Sequence, residues 1–101
     1  MKSGYSIQWT SHALSELAET IDYLQKKNWT DRELKSFSQE LDNTLQLISK
    51  NPELFPASKS RKSIRRVVVA KYNSLYYRIN KDSVEILSFF SNRQDPGKIK
   101  I

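Results

Sequence analysis

The hydrophobic pattern at the start of the chain predicts a short strand followed by a helix. Apolar and polar residues alternate in YSIQW, which is typical of a strand with one buried face. Thr10 and Ser11 come next, and either side chain can cap a helix. Apolar positions then recur at spacings of three and four, at Leu14, Leu17, Ala18, Ile21 and Leu24. This stripe predicts an amphipathic helix over about residues 12–27.

A second helix is predicted after the polar interruption KKNWTDRE. Thr30 followed by Glu33 matches a capping box, and Trp29 precedes the cap, where a hydrophobic staple residue is expected. The apolar stripe of this helix consists of Leu34, Phe37, Leu41, Leu45 and Ile48. The two prolines of NPELFPAS prevent the helix from continuing, so the two helices should form a hairpin.

The C-terminal half shows the two-residue period of β-strands. Three stretches are rich in β-branched or aromatic residues: SIRRVVVAKY, SLYYRIN and SVEILSFF. The polar NKDS between the last two predicts a tight hairpin turn. On the middle strand, we expect Leu75, Tyr77 and Ile79 to face the core. Tyr76 and Arg78 should then face away from it.

The predicted architecture is an α+β fold: an N-terminal strand, a helical hairpin and then a three-stranded antiparallel β-sheet. The length of 101 residues fits a single domain over residues 1–101. Two helices can cover one face of such a sheet, so the other face should remain open. Three consecutive valines hide the phase of the strand SIRRVVVAKY, so either Arg65 or Arg66 could point to the open face.

Composition narrows the cellular setting of the chain. It has no run of apolar residues long enough to span a membrane, and the N-terminus lacks the apolar core of a signal peptide. There is no cysteine, which excludes disulfides and thiol catalysis. These features predict a cytoplasmic protein without a membrane partner.

Charge is distributed unevenly along the chain. Residues 11–53 carry eight acidic and five basic residues, whereas residues 54–101 carry three acidic and eleven basic ones. Residues 59–81 contain eight Lys or Arg and no Asp or Glu. Such asymmetry indicates a polyanionic partner, either nucleic acid or an acidic protein segment. The alternative is a basic surface that serves solubility alone.

Catalytic chemistry has few candidates in this sequence. The lone histidine, His12, lies near a helix start, and no residues have metal-ligand spacing, so no metal is predicted. Two glycines cannot form a phosphate-binding loop, and no cofactor is predicted. Basic side chains between aromatic ones on an open sheet suit either RNA or an acidic protein segment. The candidate contact residues are Arg61, Arg65, Arg66, Lys71, Arg78 and Arg93.

Four stretches in order resemble the RelE/ParE superfamily of toxins from bacterial type II toxin–antitoxin modules. They are IQWTSHALSELAETIDYL, LISKNPELFP, IRRVVVAKYNSLYYRI and VEILSFFSNRQDP. The resemblance covers nearly the whole chain. It implies an antiparallel sheet with a helical hairpin on one face. It also implies a cognate antitoxin whose C-terminal segment, often acidic, wraps the toxin.

The superfamily divides by mechanism, and the resemblance carries over to single positions. RelE-like members cleave mRNA in the ribosome, and ParE-like members poison DNA gyrase. Arg93 matches a RelE-type arginine, but Arg65 stands where a lysine is expected and Ser74 where an arginine is expected. No tyrosine follows Tyr77, so the expected C-terminal active-site tyrosine has no counterpart.

These departures favour a ParE-like toxin that acts on DNA gyrase and is neutralised by its antitoxin. The alternative is a ribosome-dependent mRNA endonuclease with Arg93, Arg65 and Tyr76 as catalytic residues. A third possibility is a non-toxic remnant that only binds antitoxin. Whether the protein is an enzyme therefore stays open at the level of sequence.

Overall fold

The computed structural model describes residues 4–91 and confirms the predicted α+β order of elements. The six elements are β1 Ser6–Trp9, α1 Ser11–Lys26, α2 Asp31–Lys50, β2 Arg65–Val69, β3 Asn73–Asn80 and β4 Ser83–Ser91. Neither of these two helices is both long enough and apolar enough to cross a membrane.

Both helices begin at the predicted caps. The Thr10 side chain accepts a hydrogen bond from the Ala13 amide at 3.2 Å and donates one to the Ile86 carbonyl at 2.8 Å. The first contact caps α1, and the second fastens its start to β4. The capping box at Thr30 is complete, because the Glu33 amide bonds Thr30 Oγ1 and the Glu33 carboxylate accepts from the Thr30 amide.

The four strands form one mixed sheet with the spatial order β1-β4-β3-β2. The last three strands are antiparallel, as predicted. β1 joins as a fourth strand and runs parallel to β4, with Ile7 opposite Val84 and Trp9 opposite Ile86. A parallel neighbour needs a crossover connection, which the helical hairpin provides.

The helices cover one face of the sheet and form the core with it. Phe37, Leu41 and Ile48 are buried on α2, and Leu75 and Tyr77 on β3 are fully buried. The predicted inward positions of β3 are therefore confirmed, although the third of them, near the strand end, is only partly buried.

A β-bulge keeps the inward side of β4 in phase with β3. Tyr76 lies opposite Ser88, but Tyr77 lies opposite Ile86, so Leu87 is an extra residue on β4. Because of this insertion, Ile86 and Phe89 both point into the core, and both are fully buried. The remaining outward positions define the second face of the sheet.

Candidate functional site

The face of the sheet opposite the helices carries two of the predicted contact residues, Arg66 and Arg78. The alternation of each strand and its register place one set of side chains there. We call this set the open face; its members are Arg66, Val68, Ser74, Tyr76, Arg78 and Glu85. Val68 is 46% exposed, so an apolar side chain lies among the charged ones. A mixed apolar and basic surface of this kind suits a protein segment that carries both apolar and acidic side chains.

The structure assigns different environments to the two adjacent arginines of β2. Arg66 is exposed on the open face, and its Nη2 donates to Ser74 Oγ at 3.2 Å. Arg65 points the other way and is half-buried. Its Nη1 donates to the Phe55 carbonyl at 2.6 Å and lies 3.4 Å from the Glu53 carbonyl. Arg65 therefore fastens the segment between α2 and β2 to the sheet, whereas Arg66 is available to a partner.

Tyr77 also holds the segment between α2 and β2 to the sheet, and it is buried beside Arg65. Its hydroxyl donates to the Pro52 carbonyl at 2.6 Å. Burial raises the pKa of the Tyr77 hydroxyl above its ordinary value of 10.0, and the positive charge of Arg65 offsets part of that rise. At neutral pH the phenol keeps its proton, so its role in this position is structural.

Tyr76 faces outward and stacks on Phe90. The ring centroids are 5.8 Å apart and the ring planes are inclined by 15°. Stacked aromatic pairs of this geometry stabilise a sheet surface. One face of the Tyr76 ring is consequently covered by the protein itself.

Arg78 is neutralised in part by its neighbour on β4. Its Nε donates to Glu85 Oε1 at 2.5 Å, and Asn80 Nδ2 lies 3.3 Å from the other carboxylate oxygen. The hydrogen bond from Arg78, followed by that from Asn80, lowers the pKa of the Glu85 carboxyl below its ordinary value. Arg78 therefore contributes less free positive charge to the open face than its sequence position suggests.

The other predicted contact residues lie away from the open face or outside the described chain. Arg61 is exposed in the connection between α2 and β2. Lys71 is exposed at the β2–β3 turn, where Ala70 and Lys71 both have positive φ, of 52° and 70°. Arg93 lies outside residues 4–91. The structure thus brings Arg66 and Arg78 together on one face and separates Arg65 from them.

Two features of the structure were missed by sequence reasoning. The first is a groove of about 340 Å³ between α2 and the β2–β3 turn, lined among others by Trp29, Phe37 and Lys71. The second is a bond from the Ala70 amide to Glu40 Oε2 at 2.7 Å, which ties that turn to α2. Two successive residues with positive φ are usually Asn or Gly, so the sequence Ala-Lys does not predict this turn.

Within residues 4–91 no cluster of three His, Asp or Glu side chains has a metal-binding arrangement. The ion pairs between described residues are His12–Glu16, Lys26–Asp22 and Arg78–Glu85. The exposed cations Arg61 and Arg66 take part in none of them. Over the described part of the chain, none of these ion pairs therefore offsets the positive charge of Arg61 or Arg66.

Comparison with known proteins agrees with this architecture. The family model described as ParE toxin of type II toxin–antitoxin system, parDE, matches residues 7–96. A chain from the chromosomal ParDE TA system of Pseudomonas aeruginosa superimposes with a TM-score of 0.72 at 15% identity, covering 89% of this chain and 98% of that one. At that identity the likeness shows a shared fold.

A second solved structure, TrmO from Pseudomonas aeruginosa, gives a TM-score of 0.46 at 14% identity and covers 88% of this chain but 36% of that one. This likeness is too low to bear on function. No curated protein matches the sequence.

Proposed function

The chain belongs to the ParE toxin family of type II toxin–antitoxin systems, and from this premise we propose that it inhibits growth by acting on DNA gyrase. A cognate antitoxin neutralises it in this proposal, and a cytoplasmic target implies a cytoplasmic toxin. The family match is the observation that carries the proposal, and the different use of the two β2 arginines supports it over mRNA cleavage. Arg65 is bound to backbone carbonyls, and only Arg66 is presented to a partner.

The environments of the nuclease candidates support a binding role over a catalytic one. A metal-free ribonuclease needs a group that takes a proton from the ribose hydroxyl. Arg65 is engaged with the Phe55 carbonyl, and Tyr76 is stacked on Phe90. Ser74, which stands where a RelE-like toxin has an arginine, is 1% exposed. These arrangements favour the gyrase proposal over mRNA cleavage.

We propose the open face as the surface that the antitoxin covers. Arg66 offers an exposed guanidinium there, one nitrogen of which donates to Ser74 Oγ, and Val68 offers an apolar contact two residues further along the same strand. An extended or helical antitoxin segment with an acidic side chain next to an apolar one matches this pair. Such a segment would also shield the surface from the target, which explains neutralisation by competition.

The test is induction of the full-length toxin in cells with two readouts taken together. One maps the 5′ ends of mRNA within minutes of induction, and the other follows DNA breaks and the damage response. The gyrase proposal predicts DNA breaks while mRNA remains intact. In-frame mRNA cuts would overturn it in favour of the nuclease alternative, under which Arg93→Ala abolishes toxicity.

A purified system separates a direct effect on gyrase from a downstream one. Supercoiling by gyrase should be inhibited by the toxin and restored by the cognate antitoxin. Normal growth on induction, combined with tight antitoxin binding, would instead identify a non-toxic remnant. Lys35→Glu on α2 is a suitable control for charge reversal, because Lys35 is exposed and lies away from the open face.

A further inference from the structure

The connection between α2 and β2 contains a compact basic segment that lies outside the open face. We call residues 58–63, with the sequence SKSRKS, the basic loop. Its three cations are Lys59, Arg61 and Lys62, and all three are exposed. Serines fill the other three positions, so the loop has neither an acidic nor an apolar side chain.

Hydrogen bonds close the basic loop against the edge of the sheet. The Ser58 amide donates to the Ile64 carbonyl at 2.6 Å, and the Ile64 amide donates to the Arg61 carbonyl at 3.0 Å. The Ile64 side chain is 5% exposed and anchors the end of the loop in the protein. A loop that is already held in shape loses less conformational entropy when it binds a partner.

The base of the loop is fastened as well. Ala57 forms an antiparallel bridge with Arg65, and the Arg66 amide donates to the Pro56 carbonyl at 3.2 Å. These bonds attach the loop directly to the start of β2. The loop is thus held at a fixed place at the start of β2, with its three cations exposed.

No carboxylate neutralises the loop within the described chain. Between residues 4–91 the ion pairs lie on α1 and between β3 and β4, and none includes a loop cation. Three like charges within four positions repel one another, and an anionic ligand would relieve that repulsion. An anionic partner would therefore bind the loop favourably.

The chemistry of the loop indicates which polyanion fits. Lys, Arg and Ser side chains together with backbone amides are the groups that contact DNA phosphates. Single-stranded nucleic acid is held largely by stacking on aromatic rings, and the loop has none. Protein interfaces depend on apolar or aromatic anchors, which it also lacks. We propose that the basic loop binds the phosphate backbone of duplex DNA without sequence preference.

This inference rests on the proposed function only for the source of the DNA. Gyrase holds a DNA duplex while it acts, so a toxin bound to gyrase would find phosphates close by. The other source is the operator DNA to which the antitoxin binds. In both cases the recognised chemistry is the same, and DNA binding by the toxin alone can be measured without either partner.

The test compares two variants that lose the same charge from different places. In the loop variant, Lys59→Ala, Arg61→Ala and Lys62→Ala are combined. In the control variant, three exposed cations of α2 are removed by Arg32→Ala, Lys35→Ala and Lys50→Ala. Thermal unfolding of both variants verifies that each is folded. Fluorescence anisotropy with a mixed-sequence DNA duplex then gives affinity as a function of salt concentration.

The salt dependence reports how many phosphates the protein contacts. Each lost contact lowers the slope of log K against log salt by about 0.9. The loop variant should show a slope lower by about 2 to 3, and the control variant should keep the slope of the parent protein. Equal slopes and affinities for the two variants would overturn the proposal. Tighter binding to a single strand of the same sequence, or to an acidic peptide, would also overturn it.

A gyrase assay and an operator assay then identify the source of the DNA. Weaker inhibition of supercoiling by the loop variant would place the contact on DNA held by gyrase. If inhibition is unchanged but the toxin–antitoxin complex binds operator DNA more weakly, the loop contacts operator DNA instead. If the parent toxin fails to inhibit gyrase, the proposed function fails while the anisotropy result for the loop still stands.

Discussion

The carboxylate of Glu16 accepts a hydrogen bond from the backbone amide of Phe89, at 3.0 Å across 73 positions of sequence. The same oxygen accepts from Ser88 Oγ at 2.5 Å, and His12 Nε2 lies 3.3 Å from it. β1 pairs with β4 only as far as Ile86, so among residues 4–91 no strand pairs with that edge of β4 beyond this point. Glu16 on α1 replaces that strand, because an unpaired edge amide needs an acceptor.

Removing the Glu16 carboxylate should destabilise the fold. Glu16→Ala leaves the Phe89 amide and the Ser88 hydroxyl without their acceptor, and hydrogen bonds to charged groups contribute about 1.5–3 kcal/mol. We expect the free energy of unfolding, measured by urea denaturation, to fall by about 2 kcal/mol. Glu19→Ala, on the same helix but exposed, is the control and should change stability little. Equal effects of the two substitutions would contradict the edge-capping role.

Tyr77→Phe tests the fastening of the segment that follows α2. The substitution removes the hydroxyl that donates to the Pro52 carbonyl and leaves that carbonyl unpaired. At neutral pH we expect a loss of about 1–2 kcal/mol in the free energy of unfolding. Tyr23→Phe removes a phenol from a half-exposed position on α1 and controls for the general effect.

The same variant should alter the response of stability to alkaline pH. The folded pKa of Tyr77 is raised by burial, so the folded state resists ionisation above the ordinary value of 10.0 while the unfolded chain ionises. The contribution is complete below that value and is lost as pH rises through it toward the folded pKa. The difference between parent and Tyr77→Phe should therefore narrow at alkaline pH. A gap that stays constant would show that Tyr77 ionises equally in both states.

The β2–β3 turn offers a substitution that should stabilise the protein. Lys71 has a φ of 70°, a left-handed conformation that costs an L-residue roughly 1–2 kcal/mol but costs glycine almost nothing. Glycine also increases the conformational entropy of the unfolded chain, which lowers the free energy of unfolding by about 0.4–1 kcal/mol. Lys71→Gly should therefore raise the free energy of unfolding by about 0.5–1 kcal/mol. Lys62→Gly, at an exposed position without positive φ, should lower it instead.

Sequence patterns predicted the elements well because each depends on local periodicity and capping. The stripe of α2 and the box at Thr30 are complete within a few residues, and the structure reproduces both. The pairing of β1 with β4 could not be predicted, because four residues of strand do not specify a neighbour 77 positions away (Ser6 opposite Ser83). That pairing depends on how the helical hairpin carries the chain across the sheet.

The candidate site was predicted in outline but not in its details. Arg65 and Arg66 are adjacent and chemically alike, and three valines after them fit either phase. Their roles follow from the phase of β2, in which Val67 is buried and Val68 is exposed. That phase is set by packing against the helices and has no local signature. Likewise, Glu85 lies opposite Arg78 only because of the β3–β4 register, which sets how much of that charge is free.

Alanine substitutions of the two β2 arginines should differ in their effect on stability. Arg65→Ala removes a charge-assisted hydrogen bond to the Phe55 carbonyl, and we expect a loss of about 2 kcal/mol in the free energy of unfolding. Arg66 is exposed, and Arg66→Ala should change it by less than about 0.5 kcal/mol. The reverse order would show that Arg65, and not Arg66, is the arginine available to a partner.

In antitoxin binding, substitution of Arg66 should have the larger direct effect, because a partner contacts the exposed charge. Arg66→Glu puts a carboxylate on the open face beside Val68 and should weaken antitoxin affinity at least about tenfold, or about 1.4 kcal/mol. Lys35→Glu makes the same change of charge on α2 and should leave affinity nearly unaltered. Added salt should weaken binding of the parent toxin more than that of Arg66→Glu, since the parent alone retains this attraction.

Unchanged affinity of Arg66→Glu at moderate salt would show that the antitoxin binds another surface. Arg65→Glu combined with Arg66→Glu would then weaken binding only through the damage that the first substitution does to the fold.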